Sequence, residues 1–139
     1  MRRYIMTLLE WINVKPLVNK NAINDFEKKY KLTLPDDFKK CVANNNAGSP
    51  TYYAIKAKTG DEFDVKTLLS FNENDVENIY KIIDYFINQF CGKIIPFASD
   101  SAGNYYCFDD NKVILLTQDD DIIPICDSFS DFIGSLYEA

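Results

Sequence analysis

The chain contains no histidine. Imidazole is the side chain whose ordinary pKa places its proton exchange near neutrality. Its absence removes Ser-His-Asp and Cys-His nucleophile systems, HExxH metal sites and any imidazole general base. Glycine and proline are scarce, five of each in 139 residues, so the sequence hides no long flexible linker and one domain over 1–139 is expected. The four cysteines, Cys41, Cys91, Cys107 and Cys126, have no CxxC or other close spacing. Without histidine as co-ligand they make no zinc site and read as reduced, mainly buried thiols of a cytoplasmic protein. Long apolar runs are also missing. Arg2 and Arg3 precede an apolar stretch from Tyr4 to Leu9, and Glu10 ends it short of the roughly 7–15 residues of a signal-peptide core. No run approaches the ~20 residues of a membrane span, so no membrane partner is expected.

What is present is ordinary for a folded domain: 47% hydrophobic and 26% charged residues, enough to build one core. The formal net charge is −6, and it is unevenly spread. Residues 1–50 hold nine lysines and arginines against five acids, whereas 51–139 hold six against sixteen, so the two parts carry +4 and −10. Such a field repels phosphate backbones, which argues against a nucleic-acid partner and suits a partner with a basic surface.

Periodicity supplies the elements. Asn19 or Asn21 is placed to cap a short helix whose apolar edge is Ile23, Phe26 and Tyr30, stopping near Lys31. Pro35 suits a first helical position, followed by Asp36 and Asp37 in the first turn and Phe38, Cys41 and Val42 on one face. The cluster from Asn44 to Pro50 ends that helix, with Asn or Gly as the expected left-handed residue. Tyr53, Ile55 and Ala57 alternate as the inward side of a strand, and Thr59-Gly60 turns into a second strand through Phe63 and Val65. Val76, Ile79, Ile82, Ile83, Phe86, Ile87 and Phe90 recur at threes and fours and predict one helix from about Asn74 to Phe90, with Gly92 as its C-terminal cap.

The remainder reads as a meander of strands at 94–98, 105–108, 113–117 and 122–126. A last helix follows, capped by Ser128 with Asp131 three residues on, its apolar face formed by Phe129, Phe132, Ile133, Leu136 and Tyr137. The order implies an α+β domain: a mainly antiparallel twisted sheet of about six strands with helices packed around it.

The acidic turns Asp109-Asp110-Asn111 and Asp119-Asp120-Asp121 invite a calcium reading, but a loop starting at Asp100 places Ala102 and Tyr105 where that loop requires an oxygen ligand and a glycine. They read as hairpin turns or as an acidic rim facing a partner. Gly103 belongs to no phosphate-cradling pattern, and no pair of carboxylates is singled out for acid–base work. No catalytic residue, no metal and no cofactor is expected.

Three blocks of residues resemble one family. Ile23, Phe26-Glu27, Leu34-Pro35, Phe38 and Asn45-Asn46-Ala47-Gly48 are similar to the opening of SUKH superfamily domains, with Ala47 where the family's Asn-Gly-Gly has glycine. Ile95-Pro96-Phe97-Ala98, Asp100, Gly103-Asn104-Tyr105 and Cys107-Phe108-Asp109 resemble its central strand and turn. Ile125, Ser128-Phe129, Phe132-Ile133 and Leu136 resemble its closing helix. The blocks lie within 23–136. The resemblance implies a SUKH-like fold and a non-catalytic, protein-binding domain. Its bacterial branch implies an immunity protein that neutralises a polymorphic toxin, possibly a nuclease, by direct contact; its fungal cell-wall-assembly regulators imply instead a regulatory or scaffold module. The expected partner-facing residues are Asp100, Asn104, Asp109, Asp110, Asp119, Asp120 and Asp121, with Asn45, Asn46 and Tyr52 from the loop side.

Overall fold

A computed structural model describes residues 9–138. Most of the apolar stretch from Tyr4 to Leu9 lies outside the described residues. Helix α1 spans Ala22–Tyr30, begins after Asn21 and ends at Lys31, which takes a left-handed conformation. The Asn19 side chain, not that of Asn21, organises the entry by accepting the Asn21 N–H at 2.9 Å. Helix α2 spans Asp36–Asn45, so Pro35 stands just before the first helical residue instead of occupying it: its ψ is 142°, while its carbonyl accepts the Lys39 N–H. The Glu27 carboxylate holds the preceding Leu34 N–H at 2.8 Å and keeps the chain extended up to that point.

The left-handed residue after α2 is Ala47, with φ of 62°, and neither an asparagine nor a glycine. A side chain in this conformation crowds its own backbone, at a cost of about 1–2 kcal/mol. Gly48 is needed for closeness: a Cβ there would lie 2.9 Å from the Asn45 carbonyl oxygen and 3.2 Å from Trp11. Ala47→Gly is therefore expected to stabilise the fold by about 1 kcal/mol, read as a higher midpoint in urea denaturation, because glycine adopts the same φ without the clash.

Among the described residues, nine short strands fall into three antiparallel sheets. β1 (Trp11–Ile12) pairs with β2 (Ser49–Pro50), and β3 (Ala54–Lys56) pairs with β4 (Glu62–Asp64). The main sheet has the order β5-β6-β7-β8-β9, formed by Thr67–Leu68, Ile94–Ser99, Tyr105–Asp109, Lys112–Leu116 and Ile122–Cys126. The fold is α+β, with the expected meander at its centre. Register shifts occur between Pro96 and Ala98 and opposite Val113/Ile114. Proline lacks the N–H a regular ladder requires, so Pro96 at the first shift and Pro124 on edge strand β9 occupy positions where proline is tolerated.

Alternation sorts the sheet into two faces. One carries Phe97, Tyr106, Phe108, Val113, Leu115 and Ile125 into the main core with α1, α2 and α4 (Phe129–Gly134). Phe97 and Phe108 stack at 4.2 Å, and Phe38 meets them edge-on at 5.6 and 5.2 Å. Ser128 caps α4 as its spacing implied, accepting the Asp131 N–H at 3.0 Å, and Leu136 is buried beyond the helix end. The opposite face presents Ile94, Cys107, Ile114 and Leu116 to Phe86 of helix α3 (Ile83–Phe90).

Two expectations are corrected. The helix read from Asn74 to Phe90 is a short 3₁₀ turn at Ile79–Lys81 followed by α3; residues 74–78 lie outside it and Val76 is exposed. Asn78 is extended, bridging to Ser70, with Ser70 accepting the Ile79 N–H and donating its own N–H to Glu77. Its side chain caps the 3₁₀ turn by accepting the Lys81 N–H. The cap after α3 is the left-handed Cys91, one residue before Gly92. Second, Tyr53 faces outward while Ala54 and Ile55 are both buried. Strand β3 is covered along a second edge, where Ala54 exchanges backbone hydrogen bonds with Tyr137, so strict alternation fails there.

The thiols divide by depth. Cys107 is buried and its pKa is raised well above the ordinary value by burial; burial also pushes Cys41 and Cys126 up to about 11. Cys91 is exposed, so the thiols are not uniformly inside. Because the thiolate is the reactive species, a disulfide reagent at pH 8 is expected to titrate Cys91 quickly and the other three slowly in the native protein, and all four in denaturant. Equal native rates would contradict these depths.

Candidate partner-binding surface

The expected partner-facing residues separate into three places. Asp100 is buried and holds its own turn: Oδ1 accepts the N–H groups of Ala102 and Asn104 at 2.9 and 2.8 Å, and Oδ2 accepts the Asn104 amide at 3.0 Å. Gly103 sits in this turn with φ of 87°, and an added Cβ would run into the side-chain amide of Gln118. Gln118 ties the neighbouring turn on, donating its N–H to Asn104 Oδ1 and its amide to the Ala102 carbonyl. Asp119, Asp120 and Asp121 therefore share one end of the sheet with Asp100 and Asn104.

Asp109 and Asp110 lie at the other end, in the turn that pairs Asp109 with Lys112. Successive turns of an antiparallel meander fall at opposite ends, and a five-residue strand such as β8 separates them by about 17 Å. Charges that far apart are screened from one another at physiological salt, where the Debye length is about 8 Å. The acids thus form two patches and no continuous rim.

The third place is the loop after α2. Asn45 donates its amide to the Cys41 carbonyl, and Tyr52 packs partly buried against the core. Asn46 is buried, its amide reaching the Lys15 carbonyl and Ser70 Oγ at 2.9 Å each and its oxygen accepting the Phe71 N–H. Asn46 and Asp100 spend their polar atoms inside the protein.

The turn at 117–121 is built from its own residues. Thr117 and Asp121 exchange backbone and side-chain bonds, and Asp120 takes φ of 64°. The carboxylates of Asp119 and Asp121 are exposed, with no bond to a described side chain. Asp120 accepts the Tyr85 hydroxyl at 3.3 Å. Exposed apolar groups adjoin this end: Tyr85 from α3 and Ile122 at the start of β9. Neither stood out in the sequence, although Tyr85 is an aromatic lying off the buried stripe of Ile79, Ile83 and Phe86, which marks an outward position. Among the described residues no group of three or more acids or thiols is arranged to hold a metal ion. No helix among them is long and apolar enough to cross a membrane.

Fold and surface together define a small α+β domain whose outward features are charged turns and aromatic side chains. The chain belongs to the SMI1 / KNR4 family (SUKH-1), whose model matches residues 17–135. Its domains are generally non-catalytic and typically bind protein partners. The chain is also similar to the SPbeta prophage-derived uncharacterized protein YokK of Bacillus subtilis (strain 168), 38% identical over 72 residues that make up 47% of this chain and 38% of the relative. The matched region thus covers well under half of that relative's length. No solved structure matches the chain.

Proposed function

We propose that this protein is a non-catalytic, cytoplasmic immunity protein that neutralises a toxin by binding it directly, with the Asp119–Asp121 end of the sheet facing a basic surface on the partner. The observation that carries this reading is the exposed acidic turn beside Tyr85 and Ile122: apolar side chains supply contact area and the surrounding charge steers the encounter. A nuclease toxin holds phosphate with lysine and arginine, so an acidic inhibitor suits its cleft. A relative of prophage origin agrees with a gene that travels on a mobile element together with what it counteracts. The second reading, a regulatory or scaffold module that binds a cellular protein, rests on the fungal members and uses the same surface.

The product of the gene immediately upstream is the partner to test, by co-purification and then by stopped-flow association across a salt series. Neutralising Asp119, Asp120 and Asp121 to Asn is expected to slow association about tenfold at low salt and to flatten its salt dependence. The same change at Asp109 and Asp110 is expected to have a much smaller effect. If neither set alters association, the interface is elsewhere and the loop from Asn45 to Pro50 is the next surface to vary. Absence of any complex overturns the immunity reading.

A further inference from the structure

Between α3 and the ends of β7 and β8 lies a cavity of about 220 Å³. Small-molecule sites usually enclose roughly 300–1,000 Å³, so this one is of a size for a single side chain. Its floor is apolar, formed by Ile82, Phe86 and Leu116 with the ring of Tyr105. Phe86 and Tyr105 meet edge-on at 6.0 Å. Tyr85 and Asp120 stand at the mouth. The Tyr85 ring is braced edge-on against Phe86 at 5.6 Å and tethered by its hydroxyl to Asp120, yet it remains 48% exposed. Lys81 lines one wall, but its ammonium donates to the Val76 carbonyl at 3.1 Å, and Val76 is not among the residues lining this cavity.

We propose that this cavity receives an arginine side chain of a basic partner protein, with the guanidinium stacked on Tyr85 and paired with Asp120. The inference rests on the reading that the chain binds a basic protein, and it names the group that anchors that complex. Arginine fits the mixed chemistry: its methylene stem lies on apolar surface, while its planar, weakly hydrated head stacks on an aromatic ring and forks onto a carboxylate. Lysine offers only a compact, strongly hydrated charge. Asp119 and Asp121 flank the mouth in sequence and add attraction for a cation. The net charge of −6 disfavours a second copy of this chain as the occupant.

An N-acetylated, C-amidated Gly-Arg-Gly tripeptide titrated into isotope-labelled protein, followed by amide NMR, tests the cavity itself. Saturable shifts are expected at Tyr85, Gly103, Tyr105 and residues 116–120. The citrulline peptide, which keeps the shape and loses the charge, is expected to give none. Tyr85→Ala and Asp120→Asn are each expected to raise the dissociation constant about two- to fivefold, as loss of one stacked or charged contact does. Asp109→Asn is expected to leave it unchanged. Shifts that fail to saturate, that spread equally over both acidic turns, that keep the wild-type dissociation constant in both variants, or that a lysine peptide reproduces at equal affinity overturn the proposal.

A toxin that binds equally well to wild type and to both variants refutes the cavity and leaves the immunity reading standing. Saturable peptide binding in the cavity without any toxin complex upholds the cavity and refutes that reading.

Discussion

Phe38→Ala is expected to lower the unfolding free energy by about 3–5 kcal/mol, the range for a large aromatic removed from a core that cannot close over the gap. Phe38 is fully buried, and its ring meets those of Phe71, Phe97, Phe108 and Phe129 at 6.3, 5.6, 5.2 and 5.3 Å. It joins α2, two central strands and α4, so no single element can move in to fill the space. A domain of this size is stable by only about 5–15 kcal/mol, so the variant sits near its folding limit. Phe86→Ala removes a ring of equal size from the smaller cluster under α3 and is expected near 3 kcal/mol, because that site borders a surface cavity and can relax. Urea denaturation of the two variants checks the order. A loss below about 1 kcal/mol for Phe38 would mean that the main core does not converge on α2.

The second large effect is expected from a polar residue. Asn46→Ala is expected to cost about 2–4 kcal/mol even though it deletes only an amide, because it leaves the buried Phe71 N–H with no acceptor and removes two donated bonds. The same region locks the entering chain to the loop after β5. Ser70 donates to Asp75, and Asn72 reaches the Pro16 carbonyl, Asp75 and the Val18 N–H. Hydrogen exchange should therefore accelerate at Lys15, Val18 and Phe71 together, while α4 keeps its protection. Asn46→Asp is expected to be at least as damaging: it preserves the acceptor for Phe71 but turns an anion toward the Lys15 carbonyl. A variant as stable as wild type would show that solvent replaces these bonds.

Local rules carried much of the fold. The end of α1 at Lys31, the position of α2, the four strands of the meander and the Ser128 cap follow from spacing, proline placement and side-chain capping, all of which act within a few residues. The blocks that mark the family are likewise legible along the chain, and the family model covers all of them but the last residue, Leu136. Composition settled the net charge and the lack of imidazole chemistry.

Where long-range partners compete with local pattern, only the tertiary structure decided. The apolar period running through Val76 continues a helix in sequence, but the Glu77 carbonyl and the Ile79 N–H bond to the Ser70 backbone on a neighbouring segment and hold 74–78 outside it. Asn46 and Asp100 read as surface polar groups because nothing nearby in sequence reveals that each will be enclosed with a full set of partners. The distribution of charge was decided in the same way. The number of aspartates at each turn can be counted from the chain, but the antiparallel reversal of β8 sends the two turns to opposite ends of the sheet, and packing of α3 brings Tyr85 to Asp120 across 35 residues. Turn and helix signals act over a few positions, whereas a binding surface is assembled from segments that meet only after the core has closed.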